Sequence, residues 1–141
     1  MFMGEFNCKI DNKGRITLPS KFREQLVGTT FVITRGLDNC IDLFPINRWN
    51  EKMKMLENIK TTDKSQRIYA RFIVSAATEL EFDSQGRINI PLSLKTYSKI
   101  EKDVVVAGSN DKIEIWSKDV WDAFMLESIE NIDDIVKDLN L

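Results

Sequence analysis

Asp11-Asn12-Lys13-Gly14-Arg15-Ile16-Thr17-Leu18-Pro19 returns as Asp83-Ser84-Gln85-Gly86-Arg87-Ile88-Asn89-Ile90-Pro91, and this echo decides how the chain is organised. The two stretches lie 72 residues apart, and the offset holds beyond them. Val32, Gly36, Ile41 and Trp49 recur as Val104, Gly108, Ile113 and Trp121, and Asp42-Leu43-Phe44 is answered by Glu114-Ile115-Trp116. The sequence register runs without a gap. A solenoid needs about three or more copies to cover its own core, so two copies imply a pseudo-twofold pair instead.

Working outward from the motif, Phe6, Cys8 and Ile10 alternate with polar residues, which is the period of a half-buried strand. Asn12-Lys13-Gly14 supplies turn residues, and Ile16 and Leu18 resume the alternation, so a hairpin is expected. Pro19 stops the strand and Ser20 offers an N-cap for a short helix through Phe22 and Leu26. Residues 31–34 and 41–44 form a second strand pair around Gly36-Leu37-Asp38-Asn39, a turn with a glycine and two Asx residues. The second copy repeats this as strands 80–82 and 88–90, a helix near 92–97, and strands 104–107 and 113–116. Each unit is strand, strand, short helix, strand, strand.

Helix follows each unit. Trp49, Met53, Leu56 and Ile59, then Ile68, Phe72 and Ala76 after a break at Thr61-Thr62-Asp63, recur at helical spacing. Trp121, Met125, Ile129, Ile132, Val136 and Leu139 make one stripe at the C-terminal end. Residues 5–50 form the first unit, 51–76 a helical connection, 77–122 the second unit and 118–140 a C-terminal helix. With 141 residues and no linker-like stretch, the whole chain 1–141 is expected to be one compact domain sharing a core.

Composition narrows the function. The chain has no histidine, which removes the common general base, the Ser-His and Cys-His pairs and the commonest metal ligand. Cys8 and Cys40 cannot build a tetrahedral zinc site alone, and they read as small buried thiols rather than a disulfide. No apolar run approaches the ~20 residues of a membrane helix, and the first residues have no signal-peptide pattern. A soluble, cytoplasmic protein without metal, cofactor or small-molecule substrate is expected, and an enzyme is the third-ranked class.

The formal net charge is −2, but it is unevenly spread. From Asp119 onward there are seven acidic residues and one lysine, so the preceding part of the chain is net basic. Within that part the Gly-Arg turns are the candidates for contact with DNA. A glycine at positive φ makes a tight turn, so the following arginine can leave the hairpin end and bond guanine O6 and N7 in a major groove. Arg15 and Arg87 are the candidate base readers, while Lys9, Lys13, Lys21 and Arg23 suit phosphates. The competing reading makes Asp11–Arg15 and Asp83–Arg87 ion pairs that brace the turns around Gly14 and Gly86. Both hold together if the aspartate uses one side of the guanidinium and leaves other donors free.

Met1-Phe2-Met3-Gly4, the Asp-x-x-Gly-Arg turns followed by a strand and proline, Arg71-Phe72 with Ser75-Ala76, Ile113-Glu114-Ile115-Trp116 and Val120-Trp121 resemble the MraZ family over nearly the whole chain. The resemblance implies a mainly β fold with helices, in which two tandem AbrB-like units form one pseudo-twofold swapped-hairpin β-barrel. It also implies a nucleoid-associated transcriptional regulator that binds direct repeats in the promoter of the division and cell-wall gene cluster, including its own gene, and assembles into a ring of identical subunits. The second copy departs from the first: Ser84-Gln85 replaces Asn12-Lys13, and Lys95 replaces Arg23, making its expected DNA-facing surface less basic. Two alternatives remain: a ring-forming interaction module without specific readout, and an antitoxin-like partner. The periodic, helical character of the C-terminal stretch argues against the latter, because an antitoxin tail of this kind is disordered.

Overall fold

The computed structural model describes residues 1–140. The first unit contributes β1 (Glu5–Lys9), β2 (Arg15–Thr17), α1 (Ser20–Leu26), β3 (Phe31–Arg35) and β4 (Ile41–Pro45), followed by α2 (Ile46–Glu57) and α3 (Lys64–Val74). The second contributes β5 (Thr78–Leu80), β6 (Arg87–Asn89), α4 (Leu92–Tyr97), β7 (Asp103–Ser109) and β8 (Lys112–Ser117), followed by α5 (Lys118–Glu130) and α6 (Ile132–Asp138). The repeated order of elements expected from the echo is present in both halves.

The pairing is where the units interlock. Six strands form one sheet in the order β1-β7-β8-β4-β3-β5, and β2 pairs with β6 in a separate ribbon. Exchanging the two units maps this order onto its own reverse, which is a pseudo-twofold relation. β1 of the first unit lies beside β7 of the second, and β5 of the second lies beside β3 of the first. The hairpins expected from local alternation therefore close only at their tips, through a single bridge between Ile10 and Ile16 in the first unit. Their strands then part into different sheets and pair across the repeat. Hydrogen bonding runs through two separate sheets rather than a closed barrel.

The core lies between the six-stranded sheet and the ribbon. Ile16 and Ile88 point inward from the ribbon at their mutual pairing position, where the pseudo-axis passes. Phe22, Leu26 and Leu94 come from the short helices, and Phe31, Ile33, Ile41, Leu43, Val104, Val106, Ile113 and Ile115 from the sheet. On the other face of the sheet α5 covers Cys40, Val105, Ala107 and Trp116 with Val120 and Trp121. The two cysteines are unpaired.

Three local expectations are corrected. Facing positions in the third strand are shifted by one residue against the sequence register. Phe31 stands opposite Pro45 and Val104 opposite Ser117, so Val104 corresponds to Phe31 and not to Val32. Burial agrees, because Phe31 and Ile33 share the core with Val104 and Val106, whereas Val105 faces α5. The register recovers in the hairpin turn: three residues, Leu37-Asp38-Asn39, separate Gly36 from Cys40, and only Asn110-Asp111 separate Ser109 from Lys112. A residue gained before the strand is lost after it.

Ser20, expected as a cap, is instead the first helical residue, and Pro19 takes the cap position without a side-chain bond. Pro45 and Pro91 stand likewise before α2 and α4. Proline suits such a junction because its fixed φ ends the preceding strand and its missing N–H leaves no donor to satisfy. The single helix expected over 118–140 is broken at Asn131, whose φ of −109° and ψ of 8° separate α5 from α6.

Candidate nucleic-acid interface

The two Asp-x-x-Gly-Arg turns fold identically. The Asp11 amide donates to the Arg15 carbonyl at 2.9 Å and the Gly14 amide to the Asp11 carbonyl at 3.0 Å, and Asp83, Arg87 and Gly86 repeat both distances. Gly14 and Gly86 have φ of 80° and 73°, the left-handed region where a side chain is strained. Asp11 Oδ1 accepts the amides of Lys13 and Arg15, each at 2.9 Å, while Oδ2 accepts Arg15 Nε at 2.7 Å. Asp83 makes the same three bonds with Gln85 and Arg87. The Arg15 amide bond, together with the guanidinium and the Lys13 amide, holds the Asp11 carboxyl below its ordinary range; Arg87 and Gln85 do so for Asp83.

The brace does not consume the arginines. Arg15 and Arg87 keep 28% and 23% of their side-chain surface, and the aspartates engage only Nε, leaving the Nη1 and Nη2 edge of each guanidinium without a partner among the described residues. Each side chain is held at one edge and open at the other, the geometry needed for a preorganised bidentate donor.

The ribbon sets the arginines relative to each other. Arg15 pairs with Asn89 and Thr17 with Arg87, around the central Ile16–Ile88 pair. Residues directly opposite share a face, so Arg15, Thr17, Arg87 and Asn89 make one outward surface while the isoleucines point to the core. Thr17 and Asn89 escaped the sequence reading. The alternation in Arg-Ile-Thr and Arg-Ile-Asn contains the signal, but their place beside the partner arginine follows from cross-unit pairing, which local pattern does not specify.

The other basic residues distribute unevenly. Lys13 is exposed in the first turn and Lys21 is exposed on α1. Arg23, also on α1, crosses to the second unit: a Cβ built on Gly86 would meet its Nη1 at 2.5 Å and its Cδ at 3.1 Å. Its Nε is buried without a hydrogen-bond partner among the described residues. The expectation of a less basic second surface is therefore corrected, because the second turn, which has Gln85 in place of a lysine, gains an arginine from the first unit. At Gly14 the nearest atoms beyond its chain neighbours are Ile90 O at 3.2 Å and Asn89 Oδ1 at 3.5 Å, and α4 brings no counterpart of Arg23 within 4 Å. Lys95 is half-buried on α4. Lys9 pairs with Asp103 at the end of β1 and, with Asn7, Cys8 and Lys118, lines a surface hollow near the start of α5.

A second polar cluster sits on the pseudo-axis in the large sheet. Asp42 and Glu114 are direct cross-strand partners, and Lys112 Nζ lies 3.1 Å from both Asp42 carboxylate oxygens and 3.4 Å from Glu114 Oε2. Cys40 Sγ lies 3.7 Å from Asp42 Oδ1. Cys40, Asp42 and Glu114 offer ligand atoms within 4.8 Å of one another, but the Lys112 ammonium stands against both carboxylates and already supplies the positive charge there. Burial pushes the Asp42 carboxyl up despite Lys112, and burial together with the two carboxylates pushes the Cys40 thiol up, leaving it protonated and unreactive.

Strand exchange between tandem units, with a pair of braced arginine turns on the ribbon that joins them, defines a two-unit β protein of the AbrB-like kind. A family model described as "MraZ protein, putative antitoxin-like" matches the chain twice, over residues 1–72 and 73–139, so its boundary agrees with the repeat. Proteins named "Transcriptional regulator MraZ" are similar throughout. That of Limosilactobacillus reuteri is 46% identical over 141 residues, covering 100% of this chain and 99% of its own. That of Ligilactobacillus salivarius is 49% identical over 139 residues, covering 99% and 96%. That of Natranaerobius thermophilus is 42% identical over 144 aligned positions and covers both chains fully. The chain belongs to the MraZ family, a family of transcriptional regulators rather than enzymes. No helix among the described residues is long and apolar enough to cross a membrane.

Proposed function

We propose that this protein regulates transcription by binding double-stranded DNA sequence-specifically through the outward face of the β2–β6 ribbon. The observation that carries the reading is the pair of arginines, Arg15 and Arg87, each braced at Nε and open at Nη1 and Nη2. A three-residue ribbon is about 10 Å long, which suits a major groove about 12 Å wide. In that groove Arg15 and Arg87 bond guanine O6 and N7, while Asn89 suits adenine N6 and N7 and Thr17 adds a hydroxyl or methyl contact. Lys13, Lys21, Arg23 and Lys95 hold the phosphates on either side. Lys9 is the least suited of the basic candidates, because it is turned to a hollow shared with Asp103 and Lys118 near the start of α5.

The family resemblance directs the proposal to short direct repeats upstream of the division and cell-wall gene cluster, where the protein controls its own expression. A ring of subunits engaging repeats about 10 bp apart gains affinity through effective concentration, which offsets the small number of contacts per subunit. Footprinting on the chain's own upstream region, followed by gel-shift titration of Arg15→Ala and Arg87→Ala, tests the reading. Protected direct repeats and loss of specific binding in both folded variants are expected; wild-type affinity in the variants would overturn it. The exposed, acidic α5–α6 segment favours a protein-interaction role as the second reading, which predicts no steep salt dependence of duplex binding.

A further inference from the structure

The last strand of each unit runs straight into a helix, and the residue at the junction differs between the units. Pro45 stands before α2, opposite Phe31, and its counterpart before α5 is Ser117, opposite Val104. Proline brings no side-chain polar group to such a junction. Ser117 brings a hydroxyl, is only 7% exposed, and does not cap the helix that follows it. The hydroxyl has no hydrogen-bond partner among the described residues, yet it is not sealed, because the one enclosed side-chain polar atom without a partner there is Arg23 Nε. A buried hydroxyl left unbonded is costly, so the position calls for a group that bonds it.

That group has a place to sit. Ser117 lines a hollow of about 290 Å³ at the start of α5, next to the one lined by Lys9 and sharing Asp103 and Lys118 with it. Asp119 and Val120 line it too, and the amides that open a 13-residue helix have no intrahelical acceptor. With the positive end of the helix behind them, such amides favour an anion. Along the rim Lys99, Lys102 and Lys118 alternate in sequence with Glu101, Asp103 and Asp119. Of these, only Lys118 is ion-paired among the described residues, 3.1 Å from Asp122. The first unit has Ile46 and Asn47 where the second has Lys118 and Asp119, so the charged rim belongs to one unit.

We propose that this hollow binds a small phosphorylated zwitterion, its phosphate against Ser117 and the first amides of α5, its ammonium against the carboxylates of the rim. A phosphate group presents three oxygens to donors that converge from the hydroxyl, the helix end and the lysines, where a carboxylate presents two. A rim with equal numbers of both signs repels part of a purely anionic ligand, whereas a molecule carrying both signs meets a partner for each. The volume lies at the lower edge of the ~300–1,000 Å³ of small-molecule sites, which suits a compact ligand. Apart from the shared neighbourhood of Lys9, none of these residues is a candidate for DNA contact, so the site stands or falls separately from the reading of the ribbon.

Isothermal titration calorimetry of the full chain without DNA tests it, with phosphoethanolamine as the probe and inorganic phosphate and ethanolamine as comparisons. The wild-type chain is expected to bind phosphoethanolamine with a Kd below about 1 mM, and each comparison compound about tenfold more weakly or less. Ser117→Ala and, separately, Lys99→Gln/Lys102→Gln are each expected to weaken binding by about tenfold or more, with circular dichroism confirming the fold. Lys99 and Lys102 are exposed, so the lysine variant tests the site even where the buried junction tolerates no change. No binding of phosphoethanolamine at about 10 mM, undiminished binding in either folded variant, or inorganic phosphate binding as tightly as phosphoethanolamine would each overturn the proposal.

Discussion

Gly14→Ala and Gly86→Ala form a matched pair of perturbations, because the two turns share backbone geometry and differ in what lies above them. Both glycines have positive φ, 80° and 73°, and alanine in that region costs roughly 1–2 kcal/mol, part of which is returned by a less flexible unfolded chain. A net loss of about 1 kcal/mol applies to each, and for a chain of this size that lowers Tm by about 3–5 °C. Stability alone will not separate the two variants.

Binding will. The new methyl group at position 86 lands 2.5 Å from Arg23 Nη1, closer than atoms tolerate, so the guanidinium must shift from its place over the turn. At position 14 the methyl group meets Ile90 O at 3.2 Å and Asn89 Oδ1 at 3.5 Å, a tight contact with no counterpart of Arg23 to displace. If Arg23 holds a phosphate beside the second turn, its removal reduces the slope of log K against log salt by about 0.9, the contribution of one neutralised phosphate. Fluorescence anisotropy of a labelled duplex across a salt series measures the slope directly. Equal slopes for wild type and Gly86→Ala, or an equal reduction in Gly14→Ala, would refute the placement of Arg23 at a phosphate.

Arg15→Lys keeps the charge but loses the planar fork, so it is expected to retain nonspecific affinity while losing about 1–3 kcal/mol of discrimination against the wrong base, read from competition with a mutated repeat. Lys112→Met leaves Asp42 and Glu114 facing each other without a cation; with Lys112 26% exposed, the cost falls below that of a fully buried pair, at about 2–3 kcal/mol, and calorimetry should show Tm lower by about 6–15 °C. Because burial raises the Asp42 pKa in the folded state, the carboxyl favours the fold when protonated, and that contribution fades as pH rises above its usual value of about 4. Asp42→Asn is expected to remove this decline, visible as a flatter dependence of urea midpoint on pH above about 4.

The duplication, the element order and the braced turns were legible in the residues, because each leaves a local mark: a repeated motif, an alternation, a glycine before an arginine. Strand exchange left none. β1 would bury Phe6 and Cys8 equally well beside its own hairpin partner or beside β7, since the alternation is the same in both arrangements. The one-residue shift of β3 against β7 was hidden by its own compensation, because a residue gained before the strand and lost in the turn restores the sequence offset at Ile41 and Ile113. Arg23 was misjudged and Asn89 missed for a related reason: their neighbours belong to the other unit. Reading the first turn with Arg23, simply because both lie in one copy, assigned to it a charge that the fold delivers to the second.

Joining the two units in one chain permits asymmetries that a strict homodimer could not keep. On the axis of an identical pair, position 42 would face its own copy, and two aspartates would meet in the sheet. Here Asp42 meets Glu114, while position 112, which corresponds to Cys40, carries the lysine whose ammonium contacts both carboxylates. A lysine in both units would crowd two ammonium groups into that space, and a cysteine in both would leave the carboxylates unpaired, so only an unequal pair satisfies the site. The same freedom acts at the ribbon, where one turn has Lys13 and the other Gln85 with Arg23 across it, and at the helices that follow the units, one set basic and one acidic. A symmetric dimer of such units would present identical faces to a palindrome. Unequal turns within one chain give the ribbon a direction, which the proposed binding to direct repeats requires.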